Sequence, residues 1–211
     1  MASLKWRLAQ KLEINWWKRY LKTKSPEEYL AWKRNYWKDF LVKMDLKVAK
    51  NATVLDAGCG PAGIFIGFPK NPVTALDPLL DQYESLPHFQ PKEYPNVNFI
   101  SEPLESAQIP KFDYVFCLNA INHVSDLSAS MDKIADAVTE GGTLILSIDA
   151  HNFQFLKHIF RLLPGDALHP HQYDLAEYEQ MVTSRGFEIV NSVLVKKEFI
   201  FDYWSLVAVK K

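Results

Sequence analysis

The sequence predicts an α/β fold: a doubly wound, mixed sheet of seven strands that ends in an antiparallel hairpin, with a helical cap in front. Three observations predict it. After residue 50, short apolar runs alternate with turns and helical stretches, the pattern of parallel strands covered on both faces. The tail then changes character: two long strand-like runs, 187–195 and 199–209, follow one another with no helical period between them. Such runs pair as a hairpin on a sheet edge. Composition also breaks near residue 50: residues 1–50 hold 13 of the 24 Lys+Arg, 5 of the 25 Asp+Glu and five of the six tryptophans. The chain therefore reads as a basic, aromatic arm (1–50) joined to an acidic body (51–211).

In the arm, Leu4, Leu8, Leu12, Trp16 and Tyr20 recur every four residues, a helical stripe. A second helix opens at Ser25-Pro26-Glu27-Glu28, where Ser25 is expected to cap, Pro26 is preset for the first turn and Glu28 can bond back. The joint falls near 22–25. In the body, strands are predicted at 53–57, 73–77, 97–100, 112–118 and 143–148. A helix over 127–138 is expected to stop at Gly141-Gly142, and another over 175–185 at Gly186. The interval from Gly60 to Asp77 is short and holds Pro69 and Pro72, so the first crossover helix should be stunted.

With 48% hydrophobic and 23% charged residues in 211, the chain can bury a sizeable core. No apolar run approaches the roughly 18–20 residues of a membrane-spanning helix, and the first residues lack the apolar stretch of a secretory signal. Two cysteines, Cys59 and Cys117, are too few for a disulfide scaffold or a four-cysteine zinc site. The expected location is the cytoplasm.

Gly58-x-Gly60-x-x-Gly63 follows the first strand, where glycines let the backbone turn tightly and approach a ligand. Alone, this spacing also suits a plain loop or a nicotinamide site. Asp56, two residues earlier, can receive an ammonium group but would repel a pyrophosphate. Asp77 ends the next strand, where a carboxylate accepts from ribose hydroxyls. A ligand with an amino-acid end and a nucleoside end satisfies both, which describes S-adenosylmethionine. The plainer readings are that Asp56 steadies a turn, that Asp77 caps a helix starting at Pro78, and that Cys59 and Cys117 are filler and core.

Val54-Leu55-Asp56-Ala57-Gly58-Cys59-Gly60-Pro61-Ala62-Gly63 resembles the signature loop of class I S-adenosylmethionine-dependent methyltransferases of the small-molecule type. Ala75-Leu76-Asp77-Pro78 is similar to their ribose motif, and Phe99 to Glu105 to the segment beside the adenine. Phe112 to Val115 with Asn122-His123-Val124, and Gly141 to Leu144, resemble the later motifs. The resemblance covers about 50–211 and implies a Rossmann-like fold with S-adenosyl-L-methionine as cofactor. It implies cofactor contacts from Asp56, Gly58, Cys59, Gly60, Gly63, Asp77, Pro78, Leu104, Glu105 and Asn119. Pro103 stands where many relatives carry an aspartate for the adenine amine, which leaves Leu104 with Glu102 or Glu105 for that end.

Methyl transfer from a sulfonium needs in-line alignment and, for some acceptors, a base. His123 after the fourth strand and His151 after the fifth are candidates, as are His171 and Tyr173 in the loop His169-Pro170-His171-Gln172-Tyr173-Asp174. That loop reads as an acceptor-binding lid, or as a surface turn whose Asp174 caps the next helix. His-x-His without supporting acids or cysteines does not define a metal site, and none is expected. Asn119-Ala120-Ile121-Asn122 stands where amino-methylases of nucleic-acid bases carry Asn-Pro-Pro-Tyr or Asp-Pro-Pro-Tyr, and no Pro-Cys pair supports a covalent cytosine mechanism. The expected acceptor is therefore a small or lipid-like molecule, with no nucleic-acid partner. The arm is expected to cap the site with Tyr29, Tyr36 and Trp37; contact with an anionic membrane or with RNA are the alternatives. A nicotinamide-dependent oxidoreductase and a non-catalytic interaction protein with the same fold are the competing readings.

Overall fold

A computed structural model of the chain describes residues 4–151, 173–199 and 201–211, apart from the side chains of 4–7. The arm forms α1 (Leu4–Leu21) and α2 (Pro26–Lys43). The body begins with β1 (Val54–Ala57), β2 (Val73–Leu76), the single turn α3 (Leu80–Tyr83), β3 (Val97–Ile100) and β4 (Phe112–Leu118). It continues with α4 (Leu127–Asp136), β5 (Val138–His151), α5 (Leu175–Thr183), β6 (Phe187–Lys196) and β7 (Phe201–Lys210). One sheet takes the order β3-β2-β1-β4-β5-β7-β6. The pairs from β3 to β5 are parallel; β7 pairs antiparallel with β5, and β6 antiparallel with β7. Topology and hairpin are those the sequence predicts.

Residues of β1 and β2 are buried throughout, as strands covered on both faces must be. Alternate residues serve two cores. Val54, Val73, Ala75, Phe116 and Val207 share one cluster with α1, α2 and α3, while Leu55, Val115, Cys117, Leu146 and Leu206 share the other with α4 and α5.

The crossover from β1 to β2 departs furthest from a regular βαβ unit. It passes through two 3-10 turns, Gly60–Ala62 and Ile64–Gly67, with no α-helix. The helix layer missing there is supplied by α2. Leu30, Trp37, Phe40 and Met44 pack in the same cluster as Ile64, Phe65 and Phe68, and Trp37 Nε1 donates to the Ala62 carbonyl at 3.1 Å. Each such aromatic or aliphatic side chain contributes about 1.5–3 kcal/mol by its burial.

Three local expectations are corrected. Ser25 makes no side-chain cap; its carbonyl accepts from Tyr29 N at 2.9 Å, the first helical bond, and Pro26 alone starts the helix. Gly141-Gly142 do not stop a helix. Pairing of Phe112 with Val138, including Phe112 N to Ala137 O at 2.7 Å, starts β5 before the glycines, which sit inside the strand where its register with β4 shifts. Gly141, at φ +73°, takes the left-handed kink there. The helix before Gly186 ends at Thr183, two residues earlier than expected. Its start is as expected: Asp174 accepts from Glu177 N at 3.0 Å and Glu177 returns to Asp174 N at 2.9 Å, a reciprocal cap.

Candidate active site

The site is built at the carboxyl ends of β1, β2, β4 and β5, where open parallel sheets hold ligands. Gly58 and Gly60 both take left-handed backbone (φ +73° and +57°). The amides of Gly58 and Cys59 turn back onto the Leu76 carbonyl at 2.7 and 3.1 Å, tying the loop to β2. Asp77 completes the tie: one carboxylate oxygen accepts from Gly60 N and the other from Leu79 N, both at 2.9 Å. It thus holds the glycine loop and caps the turn into α3 at once. Asp56 accepts from Phe65 N at 3.0 Å, so the turn-steadying bond is present here too. Gly63 makes this fit, because a Cβ there would fall inside the Asp56 carboxylate and the Cys59 carbonyl.

Burial sets the electrostatics. It pushes Asp56 up to about 7, against the hydrogen bond from Phe65. Asp77 also rises to about 7, by burial and then by the charge of Glu13. Helix α1 lies across this corner. Trp17 packs on Gly60 and meets the Tyr83 ring edge-on at 6.3 Å between centroids. Glu13 turns the same way, its carboxyl raised by burial. The Tyr83 hydroxyl faces Asp77 and lies within reach of the Glu13 carboxyl, but among the described residues it closes no hydrogen bond of ordinary geometry. A glycine cradle, a carboxylate with lone pairs left and a hydroxyl beside it suit a ribose diol.

Lys33 of α2 is a site residue that the sequence reading missed. It is half-buried, with its ammonium 4.4 Å from the Trp37 ring centroid and 5.1 Å from that of Tyr36. Burial lowers its pKa to about 8, while Asp56 pulls it back up. Its signal was position: Lys33 falls one turn from Tyr29 and Trp37, on the apolar face of the helix. Of the expected aromatic walls, Tyr29 and Trp37 are buried in the core, while Tyr36 is half-buried and near enough to Tyr203 to help raise that phenol's pKa.

Asn119, expected among the cofactor contacts, follows β4 in left-handed backbone (φ +54°). Its amide donates to Ser147 Oγ at 2.8 Å, and Ser147 Oγ lies 2.6 Å from the Tyr203 hydroxyl. Asn is among the few non-glycine residues that tolerate this conformation, so the turn is a constrained one. Asn119→Gly should leave the melting temperature nearly unchanged and lower turnover, whereas Asn119→Ala should lose about 1 kcal/mol in urea denaturation. An Asn119→Gly enzyme with full turnover would remove the residue from the site.

The other predicted residues scatter more. His123 ends the 3-10 turn Ile121–His123 and is half-buried. His151 ends β5, buried, with its ring 4.3 Å from that of Phe201; its amide donates to the Tyr173 carbonyl at 3.0 Å. Tyr173 meets Tyr178 edge-on at 5.7 Å, and the Tyr178 hydroxyl donates to Asn122 at 3.2 Å. His151, Tyr173 and the His123 turn are therefore brought to one edge. His171 lies outside the described residues. Leu104 is buried, Pro78 follows Asp77 half-buried, and Glu105 accepts from Ser125 N, Ser125 Oγ and Asp126 N at 2.8, 2.8 and 3.2 Å, bracing the entry to α4. Cys59 and Cys117 are buried thiols; burial pushes Cys59 well up and Cys117 up to about 12, so neither is a nucleophile. Among the described residues no group of three or more His, Cys, Asp or Glu is placed to hold a metal.

Comparison with known proteins bears on the family and the fold. The profile of a family described as a methyltransferase domain matches residues 29–192. A tRNA U34 carboxymethyltransferase of Alteromonas mediterranea is 29% identical over 123 residues, 54% of this chain. The match spans 37% of that relative's length. The Burkholderia thailandensis 1,6-didemethyltoxoflavin-N1-methyltransferase, solved with its namesake ligand and S-adenosylhomocysteine, superposes with a TM-score of 0.66 at 17% identity, covering 100% of this chain and 92% of its own. The magnesium protoporphyrin IX methyltransferase of Synechocystis PCC 6803, solved with S-adenosylhomocysteine, gives 0.58 at 20% identity over 100% and 89%.

Proposed function

The chain belongs to the methyltransferase-domain family, and from that premise we propose that it methylates a small or lipid-like organic acceptor, with S-adenosylmethionine held between Asp56 and Asp77. The observation that carries the placement is the Asp77 carboxylate, fixed by Gly60 and Leu79 beside the Tyr83 hydroxyl. Asp77 and Tyr83 would hold the ribose, Asp56 the amino group and Lys33 the carboxylate of the amino-acid end. When bound, the cofactor supplies an electrophilic methyl group on its sulfonium. Asn119, Tyr36 and Tyr203 would line the acceptor side, which supports a compact, partly aromatic ligand. Alignment by such walls contributes much of the rate in a displacement of this kind. His123, half-buried, is the proton acceptor we favour; His151 and Tyr173 would orient the acceptor behind it. With the family established, the nicotinamide reading falls away.

Incubation with isotopically labelled methyl donor and a native metabolite extract, followed by mass spectrometry, tests the acceptor class. A labelled small molecule or lipid is expected. Label found only in a parallel incubation with total tRNA would overturn the small-acceptor reading in favour of the substrate class named for the Alteromonas relative.

The raised acids give a pH prediction. Asp56 and Asp77 keep their protons to about pH 7 when folded, against a usual 3.8. Between those values the folded chain binds more protons than the unfolded one, so stability should fall as pH rises through that window and level off above it. An ammonium at Asp56 favours the ionised form, so cofactor binding should release about one proton near pH 6 and about half of one near pH 7. Calorimetry in buffers of different ionisation enthalpy reads this directly. Binding with no proton release, or release unchanged in Asp56→Asn, would contradict the role.

A further inference from the structure

Helix α1 lies outside the residues matched by the family and has a use for only one of its faces within the fold. Ile14 and Leu21 are buried, Trp17 covers the glycine loop, and Glu13 points to the Asp77 corner. The opposite face carries Leu8, Leu12 and Trp16, spaced four apart and 53%, 44% and 53% exposed. Trp32 of α2 is 52% exposed as well. Trp16 stacks flat on Tyr20, centroids 4.9 Å apart and planes 6° from parallel, with the Lys24 ammonium 4.6 Å over the Tyr20 ring.

Charge decides what such a face would meet. At about 100° per residue, Lys11, Lys18 and Arg19 fall beside or within the exposed stripe, and all three are exposed. Lys22 and Lys24 follow in the turn. The helix has a single acid, Glu13, and it is turned inward, so nothing negative shares the outer face. An apolar stripe with tryptophan at its edge and cations around it matches the headgroup boundary of a negatively charged bilayer. RNA would use the cations and Trp16 but has no use for two exposed leucines. Among the described residues no helix is long and apolar enough to cross a membrane, so the helix would lie on the surface.

We propose that α1 docks the protein on anionic lipid bilayers through Leu8, Leu12 and Trp16, with Lys11, Lys18 and Arg19 on lipid phosphates. The same helix packs Trp17 against Gly60 from its other face, so docking sets α1 between the bilayer and the glycine loop. The proposal stands apart from the methyltransferase reading, because vesicle binding requires no turnover.

The test is flotation of the full chain with phosphatidylcholine vesicles, with and without phosphatidylglycerol, at low and high salt. The chain should float with the anionic vesicles only, and salt should release it. Leu8→Ser/Leu12→Ser/Trp16→Ser should reduce binding at least about tenfold, with circular dichroism and S-adenosylhomocysteine affinity unchanged. Lys11→Gln/Lys18→Gln/Arg19→Gln should remove the preference for the anionic lipid. Absence of flotation, equal flotation on neutral vesicles, or full binding by the serine variant overturns the proposal. So does binding to total tRNA that the serine variant loses while neither protein binds vesicles.

Discussion

Asp77→Ala should weaken cofactor binding by about 1–3 kcal/mol, a loss of roughly 5- to 150-fold, and should also lower stability. Two effects combine because the carboxylate has two roles. It would accept from the ribose, and it already satisfies Gly60 N and Leu79 N at 2.9 Å each. Removing it leaves two amides short of a partner in a largely buried corner, which costs about 1–3 kcal/mol for each one that water does not reach. Calorimetry with S-adenosylhomocysteine reads the first effect and urea denaturation the second. Asp77→Asn separates them, since its amide oxygen can keep one backbone bond while the negative charge is lost. A variant that binds the cofactor at full strength would remove Asp77 from the ribose, whatever its stability.

Gly63→Ala is expected to be strongly destabilising for one added methyl. The backbone at Gly63 (φ −70°) suits any residue, so strain in the main chain is not the reason. The added carbon would occupy space held by the Asp56 carboxylate and the Cys59 carbonyl. Asp56 would have to release Phe65 N, and the Ile64–Gly67 turn beneath α2 would shift. Overpacking with loss of a buried hydrogen bond predicts about 2–4 kcal/mol in urea denaturation, together with weakened cofactor binding. Gly141→Ala is the control. Its Cβ meets nothing, but φ is +73°, so the loss should stay near 1–2 kcal/mol. Equal losses at the two positions would show that close approach at Asp56 does not matter.

Much of this molecule was legible in the sequence because its strands are short, apolar and punctuated. Val54–Ala57, Val73–Leu76 and Phe112–Leu118 lie where the apolar runs fall, and the glycine–acid spacing falls at the carboxyl ends of β1 and β2. The stunted crossover was legible too, from Pro69 and Pro72 in a short interval. Apart from one local cap, what failed was whatever depends on a partner distant in the chain. Ser25 has the side chain of a cap but uses only its carbonyl. Gly141-Gly142 look like a helix stop until β4 pairs across them. Helical spacing assigned Tyr29 and Trp37 correctly to an apolar face, but it could not say that the face is buried in one cluster with Ile64 and Phe65. Lys33 was passed over for the same reason, since its relation to Asp56 exists only across the fold.

The replacement of a crossover helix by α2 has a consequence for biosynthesis. A ribosome releases this cover first and the surface it covers afterwards. Trp37, Phe40 and Met44 have no place to go until Ile64 and Phe65 arrive, and their cluster is finished only by Val207 of β7. A nascent chain halted after β4 therefore carries greasy helices with an incomplete sheet to lie on, which invites chaperone capture. Proteolytic removal of the first fifty residues from the finished protein would strip one side of the sheet to solvent, and the remainder should aggregate.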